Sequence, residues 1–174
     1  MCFNWLWNWL SENTSNVIAL CAFVATFWQA YISRKHNKLS VKPYLTGWYT
    51  SSNEYNQLKI INNGMGPAQI NSFNIYVDDK KIQGEYTDQN HRCIDILFSG
   101  YTYEQYSSYL GIGYMMPAKE EKVLLAVKFT GSNIPSLELI RSSAKRVKIV
   151  IEYKSIYGEK STYDSSKEIE RQTL

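Results

Sequence analysis

RVKIVIEYK, residues 146–154, sets Val147, Ile149, Ile151 and Tyr153 on one side of an extended chain and Lys148, Val150 and Glu152 on the other. A period of two predicts a half-buried β-strand with its aliphatic face turned inward. The same period recurs upstream in AQINSFNIYVD (68–78), where Phe73, Ile75 and Val77 alternate with Asn74, Tyr76 and Asp78. YLTGWYT (44–50), NQLKIIN (56–62), YLGIGYM (109–115) and KVLLAVKFT (122–130) are rich in the β-branched and aromatic residues that strands favour. Turn chemistry separates them. NNGMGPA (62–68) packs two glycines and a proline into four positions, Asp78-Asp79-Lys80 leads into a short strand over 81–85, and Tyr157-Gly158-Glu159 leads into Ser161–Asp164. Two short helices are predicted, Asn90–Phe98 and, after Pro135, Ser136–Ala144. Seven or eight short strands at this spacing predict a mainly β domain over 44–165, an antiparallel β-sandwich or small β-barrel, with a polar tail over 166–174.

The N-terminal residues follow another rule. Asn13 to Ser33 contains no charge, and Val17–Ile32 (VIALCAFVATFWQAYI) is apolar but for Gln29. Twenty-one helical residues span roughly 31 Å, close to the roughly 30 Å hydrocarbon core of a bilayer. The competing reading is a buried helix of a soluble protein, against which stands the block SRKHNK at its end. Arg34, Lys35, Lys38 and Lys42 crowd into a basic juxtamembrane linker, 34–43, and only Glu12 carries a side-chain charge before the span. The positive-inside rule then predicts a single-pass protein with its N-terminus outside and its C-terminal domain in the cytoplasm. A secretory signal peptide carries its positive charges before the apolar run; here they follow it. In residues 1–12 (MCFNWLWNWLSE), Trp5, Trp7 and Trp9 predict a segment lying at the membrane interface, with Trp28, Arg34, Lys35 and Lys38 completing the anchor. A partial insertion and a subunit contact are the alternatives for this segment.

The chain of 174 residues carries 19 Lys and Arg against 16 Asp and Glu, a net charge of +3. From residue 43 onward the basic and acidic residues are equal in number, fifteen each, so the basic excess belongs to the juxtamembrane block. This distribution argues against a nucleic-acid polymer as partner.

Catalytic chemistry is hard to find. Cys2, Cys21 and Cys93 are too scattered for a disulfide framework or a zinc site. His91-Arg92-Cys93 offers a thiol near a base, but residues two apart on a helix do not face each other. Gly64-Met65-Gly66 and Gly158-Glu159-Lys160-Ser161 resemble phosphate loops and lack the remaining glycines. No catalytic residue, metal site or cofactor is expected. The most unusual feature is SGYTYEQYSSYLGIGYMM (99–116). Tyr101, Tyr103, Tyr106 and Tyr109, interleaved with Ser and Gly, make a surface suited to a protein partner or ligand. Alternatively the rings pack over a sheet edge with their hydroxyls wet.

The run R-K-H-N-K-L-S-V-K-P-Y-L (34–45), then N-N-G-M-G-P-A (62–68) and Y-K-S-I-Y-G-E (153–159), resembles a set of uncharacterised bacterial membrane-anchored proteins with similar R-x-H-N-x-L-S-V-x-P, N-N-G-x-G-P-A and Y-x-S-x-Y-G motifs. The resemblance covers most of the chain and implies no activity, ligand or catalytic residue. Two functions compete. One is a non-enzymatic module at the inner (plasma) membrane whose cytoplasmic β-domain binds a protein partner or self-associates. The other is a membrane-perturbing effector, as in anti-phage defence, whose β-domain senses a small signal such as a cyclic nucleotide and clusters the transmembrane helices.

Overall fold

The computed structural model describes residues 13–52 and 55–167. The chain divides into two compact units, Met1–Ser40 and Val41–Leu174. Among the described residues of the first lies one helix, α1 (Thr14–Ser40), which carries no buried residue. It is long and apolar enough to cross a membrane by length and composition. Its 27 residues run on through the basic block to Ser40, so Arg34, Lys35 and Lys38 are helical. Aromatic side chains pair along its surface at helical spacing, Phe23 with Phe27 at 4.6 Å and Trp28 with Tyr31 at 6.5 Å. Thr26 donates its hydroxyl to the Ala22 carbonyl at 2.7 Å, which leaves that polar group satisfied inside an apolar stretch.

The second unit is mainly β. Its strands are β1 (Leu45–Ser51), β2 (Tyr55–Asn62), β3 (Ala68–Val77), β4 (Lys80–Lys81), β5 (Tyr103–Tyr106), β6 (Met115–Met116), β7 (Glu121–Phe129), β8 (Val147–Lys154) and β9 (Lys160–Asp164). Two helices interrupt them, α2 (Tyr86–Phe98) and α3 (Leu137–Lys145). All pairings are antiparallel, in a four-stranded sheet of order β1-β2-β7-β5 and a five-stranded sheet of order β4-β3-β8-β9 with β6 beside β3. Seven strands have four residues or more; the two-residue β4 and β6 take the number among the described residues past the seven or eight expected.

The predicted alternation sets the core. Val147, Ile149, Ile151 and Tyr153 of β8 and Phe73, Ile75 and Val77 of β3 are buried. They join Leu45, Leu58, Ile60 and Leu124 of the other sheet in one hydrophobic cluster. Burying each such side chain contributes about 1.5–3 kcal/mol. Gly47 of β1 lets the two sheets approach, because a Cβ there would lie 1.9 Å from the Tyr163 hydroxyl of β9. A second cluster joins Ile94 and Phe98 of α2 to Val127 and Phe129 of β7 and Ile140 of α3.

Two expectations need correction. The strand predicted over 109–115 is reduced to β6, because Gly113 turns the chain at φ +86° and Leu110 folds back into the core. The strand predicted over 81–85 is the two-residue β4, and α2 begins at Tyr86, four residues before the predicted Asn90. Asp78 and Asp79, at φ 49° and 61°, form the two-residue turn that pairs Val77 with Lys80, the geometry of a type I′ hairpin.

Candidate functional site

The motif residues meet at one place. Asn62, at the end of β2, is fully buried. Its Oδ1 accepts from the backbone N–H groups of Tyr44 and Gly64, each at 3.1 Å. Its Nδ2 donates to the carbonyls of Gly66 (2.8 Å), Met116 (3.2 Å) and Pro117 (3.1 Å). Gly64 and Gly66 are needed for close approach: a Cβ on Gly64 would lie 2.4 Å from the Lys42 carbonyl, and one on Gly66 1.8 Å from the Val41 carbonyl. The Tyr153 hydroxyl accepts from Leu45 N at 3.3 Å. Ser155 shapes the following turn, its Oγ accepting from the N–H groups of Tyr157 and Glu159. Parts of the V-K-P-Y-L, N-N-G-M-G-P-A and Y-K-S-I-Y-G segments therefore form a structural clasp at the first strand, built on Asn62, Gly64, Gly66 and Tyr153.

The tyrosines part company. Tyr101 is half-buried, edge-on to Phe129 at 6.2 Å between ring centres. Tyr103 donates its hydroxyl to Asp95 Oδ1, and burial followed by that hydrogen bond pushes its pKa up to about 12. Gln105 Nε2 meets His91 Nδ1. His91 and Asp95 lie one helical turn apart on α2, and Tyr103 and Gln105 share one face of β5, so the two contacts clip strand to helix. Tyr106 and Tyr109 remain outward, 62% and 64% exposed, with the Tyr109 ring lying over Gly111. Tyr114 is structural: its hydroxyl donates to Glu120 at 2.7 Å, and Lys122 sits 4.8 Å above its ring. β5 is an edge strand of its sheet.

Beside the clip lies a cavity of about 240 Å³. Thr87, Asn90, His91 and Ile94 line one wall, at the i, i+3, i+4, i+7 spacing of a single helix face. Gln105, Tyr106, Ser107 and Leu125 line the other, and none of the eight is Lys, Arg, Asp or Glu. Two neighbouring amides on α2 behave differently. Gln89 is buried and paired: its Oε1 accepts from Ile75 N at 3.1 Å and its Nε2 donates to Gly84 O at 2.8 Å. Asn90 is only 2% exposed, and neither its Oδ1 nor its Nδ2 has a hydrogen-bond partner among the described residues. Leaving such a buried group unpaired costs about 1–3 kcal/mol, so this amide is a feature the fold tolerates at the expense of stability. A second cavity, about 50 Å³ beneath α2 and α3, is lined by Leu58, Leu97, Phe98, Val127 and Ile140 and is an apolar packing gap.

The thiol at position 93, set aside as a nucleophile on sequence grounds, lies in the core. Cys93 is fully buried, and burial pushes its pKa up to about 12. Arg92 donates to the Gln83 carbonyl at 3.1 Å. Among the described residues, no three His, Cys, Asp or Glu side chains gather as metal ligands. Of the anchor residues, Trp28, Arg34, Lys35 and Lys38 lie exposed on α1, while Trp5, Trp7 and Trp9 lie outside the described residues. The sequence pattern missed Asn90 because an asparagine ahead of an apolar run reads as a helix start; Asp95 and Gln105 acquire their roles only through α2–β5 packing.

A family model described as a domain of unknown function (DUF8453) matches residues 8–173. No curated protein and no solved structure matches the chain.

Proposed function

Because the chain belongs to that family of unknown function over nearly its whole length, we propose its role from its own residues: a single-pass, membrane-anchored, non-enzymatic binding module. Its two sheets pack as an open sandwich that faces the cytoplasm of the plasma membrane and recognises a protein partner. The carrying observation is α1, 27 apolar-rich residues with none buried, followed by a β unit held at its first strand by the Asn62 clasp. The partner surface is the β5 edge with Tyr106 and Tyr109, whose rings offer contact area at low entropic cost. Tyr101 and Tyr103 support this edge from behind.

Photo-crosslinking tests the edge. A benzophenone amino acid at position 106 gives a discrete adduct in intact cells, and the same group at Lys160 on β9 gives none. Absence of a discrete adduct at 106 removes the assignment. For orientation, Lys160→Cys with Cys2 and Cys21 replaced by Ser is protected from an impermeant maleimide until cells are lysed; labelling in intact cells reverses the topology.

The polar cavity beside α2 favours a second reading, an effector whose β-domain senses a small signal and clusters its transmembrane helices. On that reading, inducing the full chain with its trigger depolarises cells, and deleting residues 1–33 abolishes the effect. A membrane potential that stays intact excludes it.

A further inference from the structure

We propose that the cavity between α2 and β5 is a ligand site for a small, uncharged, planar molecule bearing a hydrogen-bond donor and acceptor side by side: the edge of a nucleobase. Asn90 is the key residue. Its amide presents one acceptor and one N–H donor in a plane, buried to 2% exposure on the helix face that lines the cavity, and both lack a partner among the described residues. The adjacent Gln89 amide is paired to backbone at both its oxygen and its nitrogen, so the local fold can engage a buried amide and does not do so at Asn90. A primary amide pairs in two hydrogen bonds with any rigid edge that offers the complementary pair, as asparagine does with adenine.

The other walls narrow the class. The absence of Lys and Arg among the lining residues selects against a phosphate or carboxylate inside the cavity, and the absence of Asp and Glu selects against a cation. Ile94 and Leu125 supply apolar surface for the faces of a ring, and Tyr106 stands at the mouth. A volume of about 240 Å³ admits one or two fused rings and little more. The ribose or phosphate of a nucleoside or nucleotide would lie outside. The inference supplies a ligand class for the sensing reading above and does not depend on whether binding moves α1.

The test uses the full chain in detergent, with uracil, adenine, uridine, adenosine and their monophosphates as probes, followed by calorimetry and ligand-observed NMR. We expect at least one base to bind, its fully N-methylated analogue (1,3-dimethyluracil or N6,N6,9-trimethyladenine) to bind at least tenfold more weakly, and Asn90→Leu to abolish binding. Equal binding of base and nucleotide identifies the base as part of a larger molecule; binding of the base alone identifies the free base. Both outcomes support the site. Because Asn90→Leu removes an unpaired buried amide, the unliganded variant should also melt at or above the wild-type temperature. No binding by any probe, binding undiminished in Asn90→Leu, or a variant that folds but melts several degrees lower overturns the proposal. Binding without depolarisation in cells would discard the effector reading and leave the site standing.

Discussion

Asn62 shows how much one side chain can organise. Its fully buried amide satisfies two backbone N–H groups and three carbonyls from three stretches of chain, at 44, 64–66 and 116–117. Asn62→Ala leaves these groups buried and unpaired, and we expect a loss of about 2–4 kcal/mol in urea unfolding of the full chain. A change below about 0.5 kcal/mol would mean that water replaces the amide without cost. Asp78 gives a pH-dependent case. Its carboxylate receives two hydrogen bonds from Arg146, Nε at 2.9 Å and Nη2 at 2.6 Å, and these hold its pKa below the usual carboxylate range. A depressed folded pKa contributes stability above the unfolded value near 3.9 and loses it as pH falls through the folded value. Melting curves of wild type and Asp78→Asn should therefore differ at pH 7 and converge only as pH falls through the lowered folded pKa; asparagine tolerates the φ of 49° at this turn. A gap independent of pH would assign the effect to packing.

At the scale of elements, strands with one buried face were legible. β3 and β8 alternate because one side meets the other sheet, so period two is written into their residues. α1 was legible for the opposite reason, since an apolar helix with no buried residue needs no alternation. β5 was not legible. Its four residues, Tyr-Glu-Gln-Tyr, carry no aliphatic face, and the strand exists because β7 pairs with it and α2 is clipped to it. Contacts between residues eight and fourteen positions apart on two different elements leave no local period to read. The register shifts between Leu58 and Lys59 and between Ile70 and Ser72 were equally silent. If the clip holds β5 in place, Tyr103→Phe with Gln105→Ala should speed amide exchange over 103–106 by about tenfold or more while β2 and β7 keep their protection. Uniform exchange across the sheet would show that β7 alone holds the edge.

On the scale of the molecule, the candidate site divides along the same line. The tyrosines drew notice by composition, yet only Tyr106 and Tyr109 of the four face outward, while Asn90, in the wall of the cavity, read in the sequence as a helix start. The two units are each compact. A protease site inserted after Lys38 should release a β unit whose melting temperature lies within about 3 °C of the uncut chain. A drop of 10 °C would show that the helix supports the domain.

The hydrogen bond from Leu45 N to the Tyr153 hydroxyl closes over 108 residues of chain. At roughly 5–20 residues per second of synthesis, the ribosome needs about 5–20 s to deliver the second partner after the first. During that interval α1 has left the exit tunnel and β1 has no completed seat. On the single-pass reading, targeting of the helix is therefore settled while the domain behind it is still open. On that same reading the β unit closes only after its helix has met the lipid, so delivery and folding follow an order in time set by how far apart in the chain β1 and β8 lie.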